Sequence, residues 1–269
     1  MLVSFIIPIW KSTSSKELIY SLESLENESQ LINEVLIIFD GFNSFDIKFD
    51  PPDILRNKIK YVYLWTNKGP GNARNIGVIF AESKYVYFLD AGDISTSYRV
   101  KTQLKFLNTF GVCYGQIRYS FQSKKYFSKS RNNFIAKIML PFKNPYPNVT
   151  LAIKKEIFQE LEGFPVLRTG EDWVFIAKLF RHLDHIPNPD VILVETAISE
   201  AEKNILTRRN GIIILKRLIK AHYIMFSMNL YNRMIFPLAI LYQVALRLMP
   251  YEIFKFLYKM RLNLFFKKS

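Results

Sequence analysis

Apolar runs and amphipathic stretches alternate through the first third of the chain. Residues 3–9, 34–39, 60–64 and 85–89 are short, nearly continuous runs of Ile, Val, Leu, Phe and Tyr, a pattern that predicts strands buried on both faces of a parallel sheet. The gaps between them carry helical spacing. Over 15–27 the pattern puts Leu18, Ile19, Leu22 and Leu25 on one face, and 71–81 forms a second, compact helix. Strand and helix thus alternate as βαβ units require, which predicts a doubly wound α/β sheet flanked by helices.

Beyond Asp93 the rhythm changes. A helix is predicted over 97–110 and a strand over 112–120, followed by an irregular, polar and basic stretch over 121–147. A connection of that length without structure of its own is commonly a functional lid, and Lys124, Lys125, Lys129 and Arg131 would let it close over an anionic ligand. Helical spacing returns over 171–181 and a last strand is predicted over 191–195. From about Lys203 three amphipathic helices are expected, punctuated by Pro237 and Pro250.

At 269 residues, with 49% hydrophobic and 15% aromatic side chains, the chain can bury a sizeable core, which excludes a disordered or collagen-like protein. One cysteine, Cys113, cannot form an internal disulfide, and this points to a reducing cytoplasm and away from thiolate zinc sites. The opening MLVSFIIPIW lacks a basic leader and reads as a strand rather than a signal peptide. The net charge of +14 is unevenly spread: 203–269 holds 13 basic residues and one acid, Glu252, while 1–202 is nearly neutral. Residues 1–202 are therefore read as one balanced domain and 203–269 as a basic helical tail. The longest uncharged run of the tail, 234–246, is shorter than the roughly 20 residues that span a bilayer, so the tail is expected to lie on a membrane surface. Ile212, Ile213, Leu215, Leu218 and Ile219, interleaved with Lys216, Arg217 and Lys220, supply the expected interfacial stripe. Packing of the tail on the first domain is the other reading.

In an open parallel sheet, ligands bind where strands end. The second run ends in Phe39-Asp40-Gly41, the third is followed by NKGPGNARN over 67–75, and the fourth enters Asp90-Ala91-Gly92-Asp93. Later, Gly170-Glu171-Asp172-Trp173 opens a helix. Each has a local explanation as a turn, a cap or first-turn acids suited to the helix dipole. Together, at strand ends, they form a constellation. His182, His185 and His222 show no metal-ligand spacing.

The opening VSFIIPIW, EVLIIFDG, NKGPGNARNIG, YVYFLDAGD, and GEDW after Gly163-Phe164-Pro165 resemble the family 2 glycosyltransferases, inverting enzymes of GT-A fold, over about residues 1–200. The resemblance implies a nucleotide-sugar donor, by family habit a UDP-sugar, and a divalent cation, Mn2+ or Mg2+. Asp90 and Asp93 match the positions for ribose and metal, with Gly92 standing where many members carry a further Asp. Asp40 matches the base contact, Arg74 the position along the nucleotide, and Pro8 and Ile9 the backbone beside the base. Gly69 and Gly71 would let backbone approach the donor. Asp172 matches the catalytic base, with Glu171 positioning the acceptor or raising the base's pKa by repulsion, and Trp173 stacking on an acceptor sugar or lying in the core. The Gln-x-x-Arg-Trp motif of processive synthases is absent, which indicates single additions. By analogy with bacterial members, the expected acceptor is a glycan linked to a polyprenyl diphosphate at the inner leaflet, in lipopolysaccharide or capsule synthesis, and no nucleic-acid partner is expected. Two other classes stay open: a nucleotidyltransferase on a related sheet, and a non-catalytic basic module for membrane or nucleic acid.

Overall fold

The computed structural model describes residues 2–41, 47–121, 124–196 and 211–250, with 252–254, 256, 257, 260, 267 and 268. Four parallel strands form its centre: β1 (Val3–Ile9), β2 (Ile32–Asp40), β3 (Ile59–Leu64) and β4 (Tyr85–Phe88). Two short strands extend the sheet, β9 (Ala152–Lys154) antiparallel to β4 and β6 (Val112–Cys113) antiparallel to β9, to give the order β3-β2-β1-β4-β9-β6. Side chains of β1 alternate between two cores. Val3, Phe5, Ile7 and Ile9 face Leu18 and Leu22 of α1 (Ser15–Glu23), whereas Ile6 joins the layer with Ala73 and Val78 of α3 (Pro70–Phe80) and Val174 and Phe175 of α7 (Glu171–His182). The result is a three-layered α/β/α domain.

Local chemistry sets the helix ends that matter. Ser14 and Glu17 form a reciprocal capping box that starts α1. Pro70 occupies the first turn of α3, where its missing N–H costs nothing, and the preceding Gly69 takes φ +98°. The helix over 97–110 is α4 (Arg99–Phe110), stopped by Gly111 at φ +71°. The Glu28 carboxylate accepts from the amides of Val100 and Lys101 at 2.7 and 3.0 Å and so caps it.

The stretch beyond Asp93 departs from expectation. The run 112–120 splits at Tyr114-Gly115 into β6 and β7 (Gln116–Phe121), which belong to different sheets. A Cβ on Gly115 would lie 2.2 Å from Leu193, so the chain bends where only Gly fits. A second sheet of order β11-β8-β7-β10-β5 joins β7 to β5 (Asp93–Ser95), β8 (Lys124–Phe127), β10 (Ile192–Thr196) and β11 (Lys267–Lys268). The 121–147 segment is not structureless, because it contains β8 and α5 (Asn133–Met139), with Asn132 capping α5 by accepting the Ile135 amide. The other short helices are α2 (Asp53–Arg56) and α6 (Lys155–Glu160).

In the tail, α8 (Ile212–Ser227) and α9 (Phe236–Leu248) are two of the expected helices, and 252–254, 256 and 257 are helical as well; 197–210, including the start assigned to Lys203, lies outside the described residues. Among the described residues no helix is long and apolar enough to cross a membrane. The stripe assigned to an interfacial helix is corrected in part: Leu215 and Leu218 are buried, and with Ala221 and Met225 they pack α8 onto α7 in the domain's own core, whereas Ile212 and Ile213 are 53% and 63% exposed. The same period of three to four residues serves a core face or a membrane face, and here it meets protein. Gly170 shows how close the seat is, since a Cβ there would lie 2.9 Å from that of Ala221.

His222 of α8 is fully buried, its ring 4.8 Å from that of Trp173 and its Nδ1 3.2 Å from the Tyr231 hydroxyl. Burial pushes its pKa down to about 4. The unfolded chain therefore takes up this proton first, near pH 6.5, and stability falls as pH drops through the interval down to about 4. Between pH 7 and pH 5 this group alone costs about 2 kcal/mol. Urea denaturation at the two pH values is expected to show a drop smaller by that amount in His222→Leu than in the parent.

Candidate active site

The parallel register brings the candidate residues to one rim of the sheet. Ile9 lies opposite Phe39, Asp40 opposite Leu64, and the Leu89 amide donates to the Ile6 carbonyl at 3.1 Å, so the ends of β1, β2, β3 and β4 stand side by side. Pro8 is half-buried and Ile9 buried, both paired to β2 at this rim. Asp40 is 4% exposed, and its two oxygens accept the amides of Lys68 and Gly69, each at 2.9 Å. It thereby shapes the loop that leads into α3. Burial raises its pKa and the two amides oppose the rise.

Asp90 and Asp93 sit on a turn fastened from two sides. Arg99, fully buried, donates from Nη2 to the carbonyls of Phe88 and Val149 at 2.9 Å each and so anchors the end of β4. From α1, the Ser21 hydroxyl donates to the Asp93 carbonyl at 2.8 Å and accepts the Gly92 amide at 2.9 Å. Gly92 has φ +95°, a backbone that disfavours the Asp found there in many relatives of this motif. The Asp90 side chain is 46% exposed, whereas Asp93 is buried against Thr196. Burial, and next the charge of Asp90, push the Asp93 pKa up to about 8.

Arg74 joins this turn to the later motif. Its guanidinium donates to Asp90 Oδ1 at 2.5 Å and lies 3.6 Å from Glu171 Oε1, with the Phe164 ring 5.8 Å away. It is 5% exposed, and its Nε has no hydrogen-bond partner. Acids separated by eighty positions in the chain thus share one cation. The close approach at Gly71 is toward Glu171: a Cβ there would stand 2.8 Å from Glu171 Cγ and 3.2 Å from Phe164 Cβ. Gly71 lets the first turns of α3 and α7 meet.

Asp172 heads α7 next to Glu171. Its Oδ2 accepts from Asn144 Nδ2 and its Oδ1 from the Trp173 amide, both at 2.8 Å. Burial raises its pKa and Arg74 opposes the rise. The repulsion expected to act on Asp172 acts on Glu171, whose pKa is raised to about 7 by burial and then by the charge of Asp172. Trp173 belongs to the core: it is 5% exposed, and its indole N–H donates to the Leu140 carbonyl at 2.6 Å. Asn144 went unremarked in the sequence because it lies in the unpatterned 121–147 stretch. Ser21 offered a fainter signal, a small polar residue on the apolar face of α1 between Leu18 and Leu22. Lys129 and Arg131 precede α5 beside the Tyr146 hydroxyl, which donates to the Arg131 carbonyl at 3.3 Å; the side chains of Lys124 and Lys125 lie outside the described residues.

The donor set fits a hard divalent cation. Two carboxylates lie close enough for one to raise the other's pKa, and surplus negative charge of this kind is what Mg2+ or Mn2+ relieves. Among the described residues no group of three or more His, Cys, Asp or Glu gathers as a metal cage. One or two carboxylates, with substrate phosphates completing the shell, is the ordinary arrangement for Mg2+.

The profile of Glycosyl transferase family 2 matches residues 4–161, more than half of the chain, and the chain belongs to that family. An uncharacterized glycosyltransferase of Rickettsia bellii is 32% identical over 191 residues, covering 65% of this chain and 26% of the relative, so the match spans about a quarter of that protein. One from Haemophilus influenzae is 26% identical over 258 residues, 88% of this chain and 90% of the relative. In fold, the chain is similar to S. aureus TarS 1-349 in complex with UDP-GlcNAc, with TM-score 0.58, 18% identity, and coverage of 83% of this chain and 66% of that one. It is similar too to the mannosyltransferase PcManGT from Pyrobaculum calidifontis in complex with GDP-Man and Mn2+, with TM-score 0.58, 15% identity, and coverage of 90% and 73%. The fold is GT-A and the family is one of glycosyltransferases, which favours that reading over the nucleotidyltransferase and the non-catalytic module.

Two substitutions probe this geometry. Gly71→Ala forces the first turns of α3 and α7 apart and is expected to cost about 1–3 kcal/mol in thermal or urea denaturation. Asn144→Ala frees the Asp172 carboxylate to rotate; steady-state kinetics are expected to show kcat lowered roughly tenfold or more at nearly constant donor KM.

Proposed function

We propose that the chain transfers one sugar, with inversion, from a nucleotide-diphosphate sugar to a hydroxyl of a glycan acceptor. The observation that carries this reading is the cluster in which buried Arg74 contacts both Asp90 and Glu171, with Asp172 next to Glu171 at the head of α7. Acids of the proposed donor motif and of the proposed acceptor motif share one cation there, which supports a displacement between two substrates bound side by side.

Asp172 accepts the proton of the attacking hydroxyl, held in place by Asn144 and the Trp173 amide. The hydroxyl oxygen bonds to the anomeric carbon on the face opposite the leaving group, the bond to the diphosphate oxygen breaks, and its electron pair departs with the nucleoside diphosphate. A raised pKa suits Asp172 to receive that proton in a site shielded from water. Glu171 borders the acceptor and, with Asp90, keeps Arg74 in place. Asp90 and Asp93 would hold Mn2+ or Mg2+, which when bound supplies positive charge at the leaving diphosphate. Pro8 and Ile9 present backbone at the rim to the base. Each oxygen of Asp40 keeps a second lone pair for the base beyond the amide it accepts.

UDP is the proposed nucleotide, in line with the UDP-GlcNAc bound by TarS; the GDP-Man and Mn2+ of PcManGT make GDP the natural comparison and support the metal. For the acceptor we propose a polyprenyl-diphosphate-linked oligosaccharide of surface-polysaccharide synthesis, reached from the inner face of the plasma membrane. The support is the basic 203–269 region, since each Lys or Arg near an anionic surface contributes about 1 kcal/mol.

A panel of sugar nucleotides, assayed with Mn2+ or Mg2+ for release of nucleoside diphosphate, tests the reading. Asp93→Ala is expected to raise donor KM roughly tenfold or more, whereas Asp172→Asn lowers kcat by about 10²–10⁴ and leaves donor KM nearly unchanged. Equal kinetics for parent and both variants would overturn the site assignment.

A further inference from the structure

Helix α9 is polarised against the usual rule. Its buried side chains include Gln243, whose Nε2 donates to the Phe142 carbonyl at 3.0 Å, while Leu238, Leu241 and Leu248 are 58%, 63% and 53% exposed on the outer side with Tyr242. These positions follow helical spacing and make one apolar stripe facing away from the protein. A second exposed apolar group, Phe134, Ile135 and Ile138, stands on α5. The turn after α5 meets α9, where the Phe142 and Tyr242 rings are 5.6 Å apart.

Charge chooses the occupant. No Asp or Glu occurs between Asp93 and Glu156, nor between Glu202 and Glu252, so both segments that build this surface are free of acids. They carry Arg131, Lys137 and Lys143 on one side and Lys216, Arg217, Lys220, Arg233 and Arg247 on the other. Exposed Leu, Ile and Phe on segments whose own charges are all cationic match an anionic lipid interface, where apolar side chains enter the acyl boundary and cations meet head groups. An exposed acid, Asp184, stands beside Asn133 at the start of α5, contributed by the chain after α7.

We propose that the α5 and α9 faces together form the surface by which the enzyme docks on an anionic bilayer. The inference rests on the lipid-linked acceptor in the reading above and gives it a place. Asn144, which holds Asp172, follows the Phe142 turn directly, so a docked chain keeps its base a few residues from the membrane surface. Leu215 and Leu218 of α8 have no part in this, being committed to α7.

Cosedimentation of the full chain with phosphatidylcholine vesicles, with and without about one third phosphatidylglycerol, tests the proposal. The parent is expected to bind the anionic vesicles, less so at high salt, and to bind the neutral ones weakly. Leu238→Glu/Leu241→Glu and, separately, Phe134→Glu/Ile138→Glu are each expected to lower the partition on the order of tenfold or more, with melting temperature and vesicle-free donor hydrolysis unchanged. If a glutamate pair disturbs folding, Leu238→Ser/Leu241→Ser replaces it with the same expected direction. Undiminished binding by both double variants overturns the proposal, as does absence of parent binding to anionic vesicles. It is equally overturned if light scattering finds a parent dimer that the α9 variant converts to monomer, because a second copy would then cover the face. Vesicle binding that responds to the variants in a chain without donor turnover supports the surface and counts against the enzyme reading alone.

Discussion

One buried guanidinium organises the cleft. Arg74 reaches Asp90 on the turn after β4 and Glu171 at the head of α7, and nearly all of its surface is removed from water. A cation so placed is tolerable only while its carboxylates stay, and breaking such a pair from one side costs about 3–5 kcal/mol because a charge is left stranded. The same constraint runs outward. Asp90 holds its position because Ser21 and Arg99 fix the turn and strand that present it, and Glu171 because Gly71 leaves room for it. Donor and acceptor motifs are thus parts of one electrostatic unit.

The surrounding acids show what that unit lacks. With Arg74 divided between Asp90 and Glu171, burial first and the neighbouring carboxylates second hold the pKa values of Asp93 and Glu171 up. Buried carboxylates with raised pKa values are unfavourable for stability and are the kind of group that functional sites gather.

Much of this was legible in the residues, for identifiable reasons. β1 to β4 stood out because strands covered on both faces must be apolar throughout, and α1 because its capping box and one-sided leucines agree. The turn at Tyr114-Gly115 was hidden, since an apolar run does not show that its two halves enter different sheets. β9 and α6 were too short to leave a period. Asp90, Asp93, Glu171 and Asp172 could be placed at strand and helix starts, but their union through Arg74 is a fact of tertiary structure. Asn144 and Ser21 act through single hydrogen bonds, which no periodicity records. Along α8 hydrophobic spacing says nothing of what covers a face: Leu215 and Leu218 meet protein, while Ile212 and Ile213 stay exposed.

The contact between Gly170 and Ala221 ties the C-terminal helices to the chemistry more tightly than their distance along the chain would suggest. Gly170 is the residue from which α7 and its two acids begin, and α8 rests directly against it. Descendants of this protein are therefore not at liberty to exchange the tail as a detachable adaptor: a new ending must bring its own small residue to this spot, or the acceptor side of the cleft will be rebuilt along with it.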